Sequence, residues 1–275
     1  MQEEKGAARR PDDRAQASLR PLQLETGVLK FAEGSAEIRL GETRVLAAAT
    51  FENKVPRFRI DSGKGWVTAE YAMLPRATHT RSQREVQRGR PGGRTAEIQR
   101  LIGRSLRATM DFEVLGEKTV TVDCDVLQAD GGTRTASVTA AWVAMVEALG
   151  MAFLAGDLER WPVIRQAAAV SVGLVNGVPL LDLEYSEDSV AEVDLNVVGT
   201  ADGELIEIQG TGEERSFRRE ELDALLDLAF GGIAELVKAQ NEVLAPLLAE
   251  VEARKGRRRG PAAPRDEGQL WGRPT

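Results

Sequence analysis

Lys118-Thr119-Val120-Thr121-Val122-Asp123-Cys124-Asp125-Val126-Leu127, followed after three residues by Gly131-Gly132-Thr133-Arg134-Thr135, is where the sequence declares its architecture. The first ten residues alternate, with Val120, Val122, Cys124 and Val126 on one parity, as a half-buried strand requires. The glycine pair then breaks the extended run. From Thr135 to Phe153 the chain is almost continuously apolar, which predicts a helix buried at the centre of the fold. Upstream, strands are expected at Leu22–Phe31, Ala36–Leu40, Arg44–Phe51 and Val67–Met73, and a helix at Arg94–Thr109 with Ile98, Leu101 and Ile102 on its apolar face. Downstream, strands are expected at Ala168–Val175, Leu180–Tyr185, Val193–Val198 and Leu205–Gln209, then a long helix from about Arg218 to Leu248. Sheets interleaved with few helices, without a regular βαβ rhythm, predict an α+β fold.

The chain has 275 residues and 42% hydrophobic content, enough for a sizeable core. Its first twenty residues alternate charges without an apolar run, which argues against a secretory signal. Val138–Leu154 is interrupted by Thr139, Glu147 and Gly150, which argues against a membrane span. A single cysteine, Cys124, excludes an internal disulfide and suits a reducing cytoplasm. After Glu250 no apolar periodicity is legible, so residues 251–275 are expected to form a disordered basic tail.

Net charge is −7, but unevenly spread. Nine arginines and two acids fall between Arg76 and Arg107, whereas thirteen acids and three arginines fall between Asp182 and Glu221. A basic stretch suits a phosphate backbone and an acidic one suits a divalent cation.

Gly92-Gly93-Arg94-Thr95 nearly repeats the chemistry of Gly131–Thr135, each at a predicted helix start. Helix N-termini offer unpaired N–H donors, and arginine adds a fork matched to phosphate oxygens. Glycine pairs also form plain turns, and threonine also caps helices. Two charge-assisted contacts of roughly 1.5–3 kcal/mol each would hold inorganic phosphate at about millimolar affinity.

In Asp188–Val197, alternation sets Glu192, Asp194 and Asn196 opposite Val193, Leu195 and Val197, with Asp188 on the carboxylate side if the extension continues. Two carboxylates completed by substrate phosphate and water make a Mg2+ environment, and the same pattern also suits a solvated sheet face. Asp123 and Asp125 form a second carboxylate pair that neighbouring arginines could neutralise. His79 stands alone and Cys124 reads as core, so protein-nucleophile catalysis has no support.

Gly65–Tyr71, Met73–Arg81, Gly92–Ile102, Asp123–Ser137, Asp182–Tyr185 and Ile206–Thr211 together resemble ribonuclease PH, over roughly Leu19 to Leu244. The resemblance implies a ribonuclease PH fold of mixed β-sheets in one compact domain, at residues 19–250 after a partly flexible segment 1–18. It implies phosphate-dependent 3′→5′ removal of nucleotides from RNA, transfer RNA precursors in particular. Nucleoside 5′-diphosphates are the implied products, Mg2+ the cofactor, and a homohexamer built as a trimer of dimers the assembly. The family's phosphate-binding residues match Arg94, Gly132, Thr133 and Arg134, its metal-site aspartates Asp188 and Asp194, and its RNA-contacting arginines Arg76, Arg81 and Arg84. The usual Arg-x-Asp-Gly-Arg start carries Asp13 in place of glycine. An inactive RNA-binding subunit of an exosome-like ring and a hydrolytic, metal-dependent exonuclease are the alternatives.

Overall fold

The computed structural model describes residues 10–258. Five strands, β1 (Leu22–Thr26), β2 (Gly34–Leu40), β3 (Thr43–Glu52), β4 (Trp66–Met73) and β5 (Thr119–Gln128), form one sheet in the order β1-β2-β3-β5-β4. All neighbours are antiparallel except β4 and β5, which are parallel. A parallel pair needs a crossover, supplied here by helices α1 (Gly93–Arg107) and α2 (Phe112–Leu115). The second sheet has the order β7-β6-β8-β9, from β6 (Ala167–Val175), β7 (Val178–Leu181), β8 (Val193–Thr200) and β9 (Leu205–Gly212). The α+β expectation holds.

Between the sheets runs α3 (Thr133–Ala155), packed on β2 and β3 on one side and on β6 and helix α5 (Arg219–Arg258) on the other. By length and composition α3 could cross a membrane, yet 78% of its apolar window lies buried inside the fold, as a core helix requires. Small residues permit this approach. A Cβ at Gly34 of β2 would lie 2.1 Å from the Ala144 carbonyl of α3, so only glycine fits there. Cys124 is fully buried, and burial raises its thiol pKa far above the ordinary value, which leaves it inert core.

Three expectations are corrected. β1 ends at Thr26, because Gly27 turns the chain with φ 69°. The strand expected over Leu180–Tyr185 stops at Leu181, since Asp182 adopts φ 55°, and a one-turn helix α4 (Tyr185–Asp188) follows. Residues 251–258 are helical, not a disordered tail, and Val251 is fully buried. Arg254 donates to the Leu154 carbonyl at 2.7 Å and stacks on Phe153, while Lys255 lies over Trp161. The signal missed was the alkyl stem of basic residues, which packs on aromatic rings while the head stays polar. Residues 259–275 of the expected tail lie outside the described residues. Within the N-terminal segment, the residues from Arg10 onward are held: Arg10 is 3% exposed and forks onto Glu187 with two bonds of 2.7 Å. Asp13 occupies φ 59°, the conformation that makes glycine usual at that position and that aspartate tolerates better than most residues.

Candidate active site

One cavity of about 340 Å³ collects Arg94, Gly132, Thr133, Arg134, Asp188 and Asp194, and Ser171, Asn196, Thr211 and Glu213 complete its lining. Four separate elements deliver the predicted residues. The turn into α3 brings Gly132, Thr133 and Arg134; α1 brings Arg94; β8 of the second sheet brings Asp194, and the one-turn helix α4 brings Asp188.

The turn before α3 is built from two left-handed glycines, Gly131 with φ 76° and Gly132 with φ 64°. Any other residue would be strained at either position, and a Cβ on Gly131 would meet the Leu183 carbonyl at 2.4 Å. Thr133, buried, accepts a 3.1 Å hydrogen bond from the Tyr71 hydroxyl, which ties the turn to β4. Arg134 reaches Glu97 of α1 at 3.3 Å. Its Nε is buried and, among the described residues, finds no hydrogen-bond acceptor. A half-buried guanidinium with an unused buried donor, at the positive end of a 23-residue helix, is suited to an anion.

The α1 start differs. Gly92 is extended, with φ −67°, and its N–H donates to Glu85 at 3.2 Å, while the Thr95 hydroxyl donates to the same carboxylate at 2.7 Å. A protein carboxylate therefore occupies the turn that the sequence suggested as a second backbone anion cradle. Only the exposed Arg94 side chain projects from α1 into the shared cavity.

Asp188 does not lie on an extension of β8, as strand parity suggested. Glu184 and Glu187 form a reciprocal capping box that closes one helical turn, and Asp188 sits at its end. Glu192, which shares the parity of Asp194, turns away to bind the Gly177 N–H at 2.7 Å and Arg215 at 2.5 Å. Asp194 is pushed up to about 6, first by burial and then by repulsion from Asp188, with Arg134 opposing both. Burial also raises Asp188, against the pull of Arg134 and Arg94. Two paired carboxylates that resist joint ionisation, beside the Asn196 amide, form a hard-oxygen donor set that fits a divalent cation. Among the described residues no group of three or more His, Cys, Asp or Glu side chains could hold a metal by itself. Asp123 and Asp125 are exposed on β5, outside this cavity.

Of the predicted RNA-contacting arginines, Arg84 lines an adjoining cavity together with Tyr71, Met73 and Arg94. Arg76 lines another with His79, Gln128 and Asp130 and donates to the His79 carbonyl at 3.0 Å. Arg81 is exposed on the loop between them. Sequence reasoning missed Ser171, Thr211 and Glu213. Thr211 faces Asp194 directly in the β8–β9 register, a pairing that could be read only once the hairpin was known.

Residues 18–149 match the 3′ exoribonuclease family, domain 1, and residues 166–232 match domain 2 of the same family. Rrp46 from rice (Oryza sativa) aligns with a TM-score of 0.69 and 20% identity, over 86% of this chain and 100% of its own. The Archaeoglobus fulgidus exosome, solved with RNA bound to the active site, contributes a chain with TM-score 0.72 and 24% identity, over 84% of this chain and 92% of its own. A chain of an archaeal exosome core aligns with TM-score 0.67 and 23% identity. At these identities the likeness is one of fold.

Proposed function

Because this chain belongs to the ribonuclease PH family of 3′ exoribonucleases, we propose that it removes 3′-terminal nucleotides from RNA, transfer RNA precursors in particular, using inorganic phosphate as nucleophile. The observation that carries this is the convergence of Arg94, Arg134 and the Gly132–Thr133 helix start with Asp188 and Asp194 in one cavity.

Phosphate is held by the Arg134 fork and the α3 N-terminus on one side and by Arg94 on the other. One of its oxygens attacks the phosphorus of the last phosphodiester as the bond to the 3′-oxygen of the penultimate nucleotide breaks. A nucleoside 5′-diphosphate leaves, and the RNA retains a free 3′-hydroxyl. Exchange of a phosphodiester for a phosphoanhydride is close to isoenergetic, so nucleotide addition from diphosphates runs on the same site. Asp188 and Asp194 would hold Mg2+, which when bound neutralises charge on the reacting phosphoryl group and the departing oxygen. What the chain itself supplies is position and electrostatics, with no water to activate. Arg76, Arg81 and Arg84 carry the RNA backbone toward the cavity, and a hexameric ring of dimers sets that basic loop near a subunit boundary.

Fold likeness to exosome chains, Rrp46 among them, favours a second reading as a non-catalytic RNA-binding ring subunit. Retention of both arginines and both aspartates in a single cavity weighs against it. Incubation with a 3′-extended transfer RNA precursor and Mg2+, with and without inorganic phosphate, separates the possibilities. Nucleoside diphosphates released only with phosphate are expected. Monophosphates released without phosphate would establish hydrolysis, and RNA bound with nothing released would establish the structural subunit.

A further inference from the structure

Arg20 lies outside the cavity lining, yet it is 3% exposed and spends its donors on two segments that build the cavity. Its Nε and Nη2 fork onto Asp182 at 3.0 and 2.7 Å, and its backbone N–H adds a third bond to the same carboxylate at 2.8 Å. Its Nη1 donates to the Asp130 carbonyl, and Nη2 approaches the Gly131 carbonyl at 3.4 Å. Asp130 and Gly131 lead directly into the phosphate turn. Asp182 opens the segment that ends in Asp188.

We propose that Arg20 is a positioning residue, which through Asp182 fixes the Gly131–Gly132 turn against the Asp182–Asp188 segment so that phosphate-binding and carboxylate groups are set as one unit. The two segments already touch, since a Cβ at Gly131 would fall 2.4 Å from the Leu183 carbonyl, so a small slip in either moves the other. Asp182 also sits in a left-handed conformation, which costs free energy and persists only where surroundings hold it. Arg20 does so from one side. From the other, Arg10 donates to the Leu181 and Asp182 carbonyls at 2.9 and 3.1 Å and grips Glu187, the residue before Asp188. Planar guanidinium forks specify direction as well as distance, which lysine in the same place cannot do.

This inference rests on the phosphorolytic reading for its ligands, but its test reads binding directly. Inorganic phosphate is titrated into the full-length protein with Mg2+ present and followed by phosphorus NMR, and Mn2+ is titrated separately and followed by electron paramagnetic resonance. The proteins compared are wild type, Arg20→Lys, Asp182→Asn and the double variant. Arg20→Lys is expected to weaken both phosphate and Mn2+ by about 10-fold or more, as loss of an outer-shell partner does. Its affinity for a 3′-tailed RNA, measured by anisotropy, is expected to stay within about twofold. The double variant is expected to be no weaker than the worse single one, because the two residues act through one contact. Folded variants with wild-type phosphate and Mn2+ affinities, whatever their melting temperature, would overturn the proposal. Should Arg20→Lys not fold, Asp182→Asn, which preserves side-chain volume, is judged by the same criteria. A wild-type protein that binds phosphate yet releases no diphosphates would end the phosphorolytic reading and leave this one standing. Phosphorolysis by wild type together with unshifted variants would do the reverse.

Discussion

Two helices in this molecule start with Gly-Gly, an arginine and a threonine, and they end up with different chemistry. At α3 both glycines are left-handed, the threonine is buried against Tyr71, and the turn faces the cavity. At α1 the first glycine is extended, and Glu85 takes its N–H and the Thr95 hydroxyl. A carboxylate on a helix N-terminus satisfies the same donors and the same dipole that a phosphate would. Near-identical sequence therefore yields a turn open to the cavity in one case and an internally capped helix in the other, with Arg94 the α1 residue that reaches the cavity. What distinguishes them lies outside each motif: the acid at position 85 beside α1, and Arg20 with Asp182 behind the left-handed turn of α3.

The largest effect expected of any change at this pair is that of Arg134→Ala. Removing the half-buried Arg134 fork at the α3 start should lower phosphate-dependent turnover by at least about 10²-fold, measured by diphosphate release, with assembly size unchanged by light scattering. A loss smaller for Arg134→Ala than for Arg94→Ala would invert the ranking of the two helix starts.

Asp194→Asn should divide stability from activity. Its folded pKa of about 6 lies above the ordinary carboxylate value, so the native state favours the protonated form. That contribution is fully present below about pH 4 and is lost as pH rises through about 6. In chelator at pH 8 the Asn variant, which cannot ionise, should therefore be about 1–2 kcal/mol more stable than wild type, and at pH 4 the two should unfold alike. Mg2+-supported turnover should fall steeply at the same time. Equal thermal stabilities at pH 8 would show that Asp194 is not strained by its neighbours.

The smallest effect is expected at Glu85→Gln. It should cost about 0.5–1 kcal/mol of stability through the α1 cap, by thermal unfolding, and leave the phosphate KM within about twofold. A tenfold tighter phosphate KM would mean that Glu85 competes with phosphate, and that α1 is a second cradle after all.

Much of this was legible in the chain because alternation and helical spacing are local. β5 and the buried α3 follow from Val120 through Val126 and from the apolar run after Thr135. Arg94, Arg134, Asp188 and Asp194 were likewise nameable beforehand, and they do meet in one cavity. How Asp188 arrives was not legible, since strand parity cannot foresee that Asp182 turns left-handed and that Glu184 and Glu187 close a helical turn. Nor was Arg20, whose partner lies 162 residues away, nor the packing of Arg254 and Lys255 on rings of another helix and loop. Each of these depends on long-range contact rather than on neighbours in sequence.

The central claim is that phosphate seated at the α3 start is the nucleophile. The most direct measurement supplies radiolabelled orthophosphate with Mg2+ and an unlabelled 3′-extended RNA, and locates the label after a single round of turnover. Label in the terminal phosphoryl group of released nucleoside diphosphates, lost in Arg134→Ala and kept in Glu85→Gln, is the expected result. Unlabelled monophosphates as the released nucleotides would contradict it.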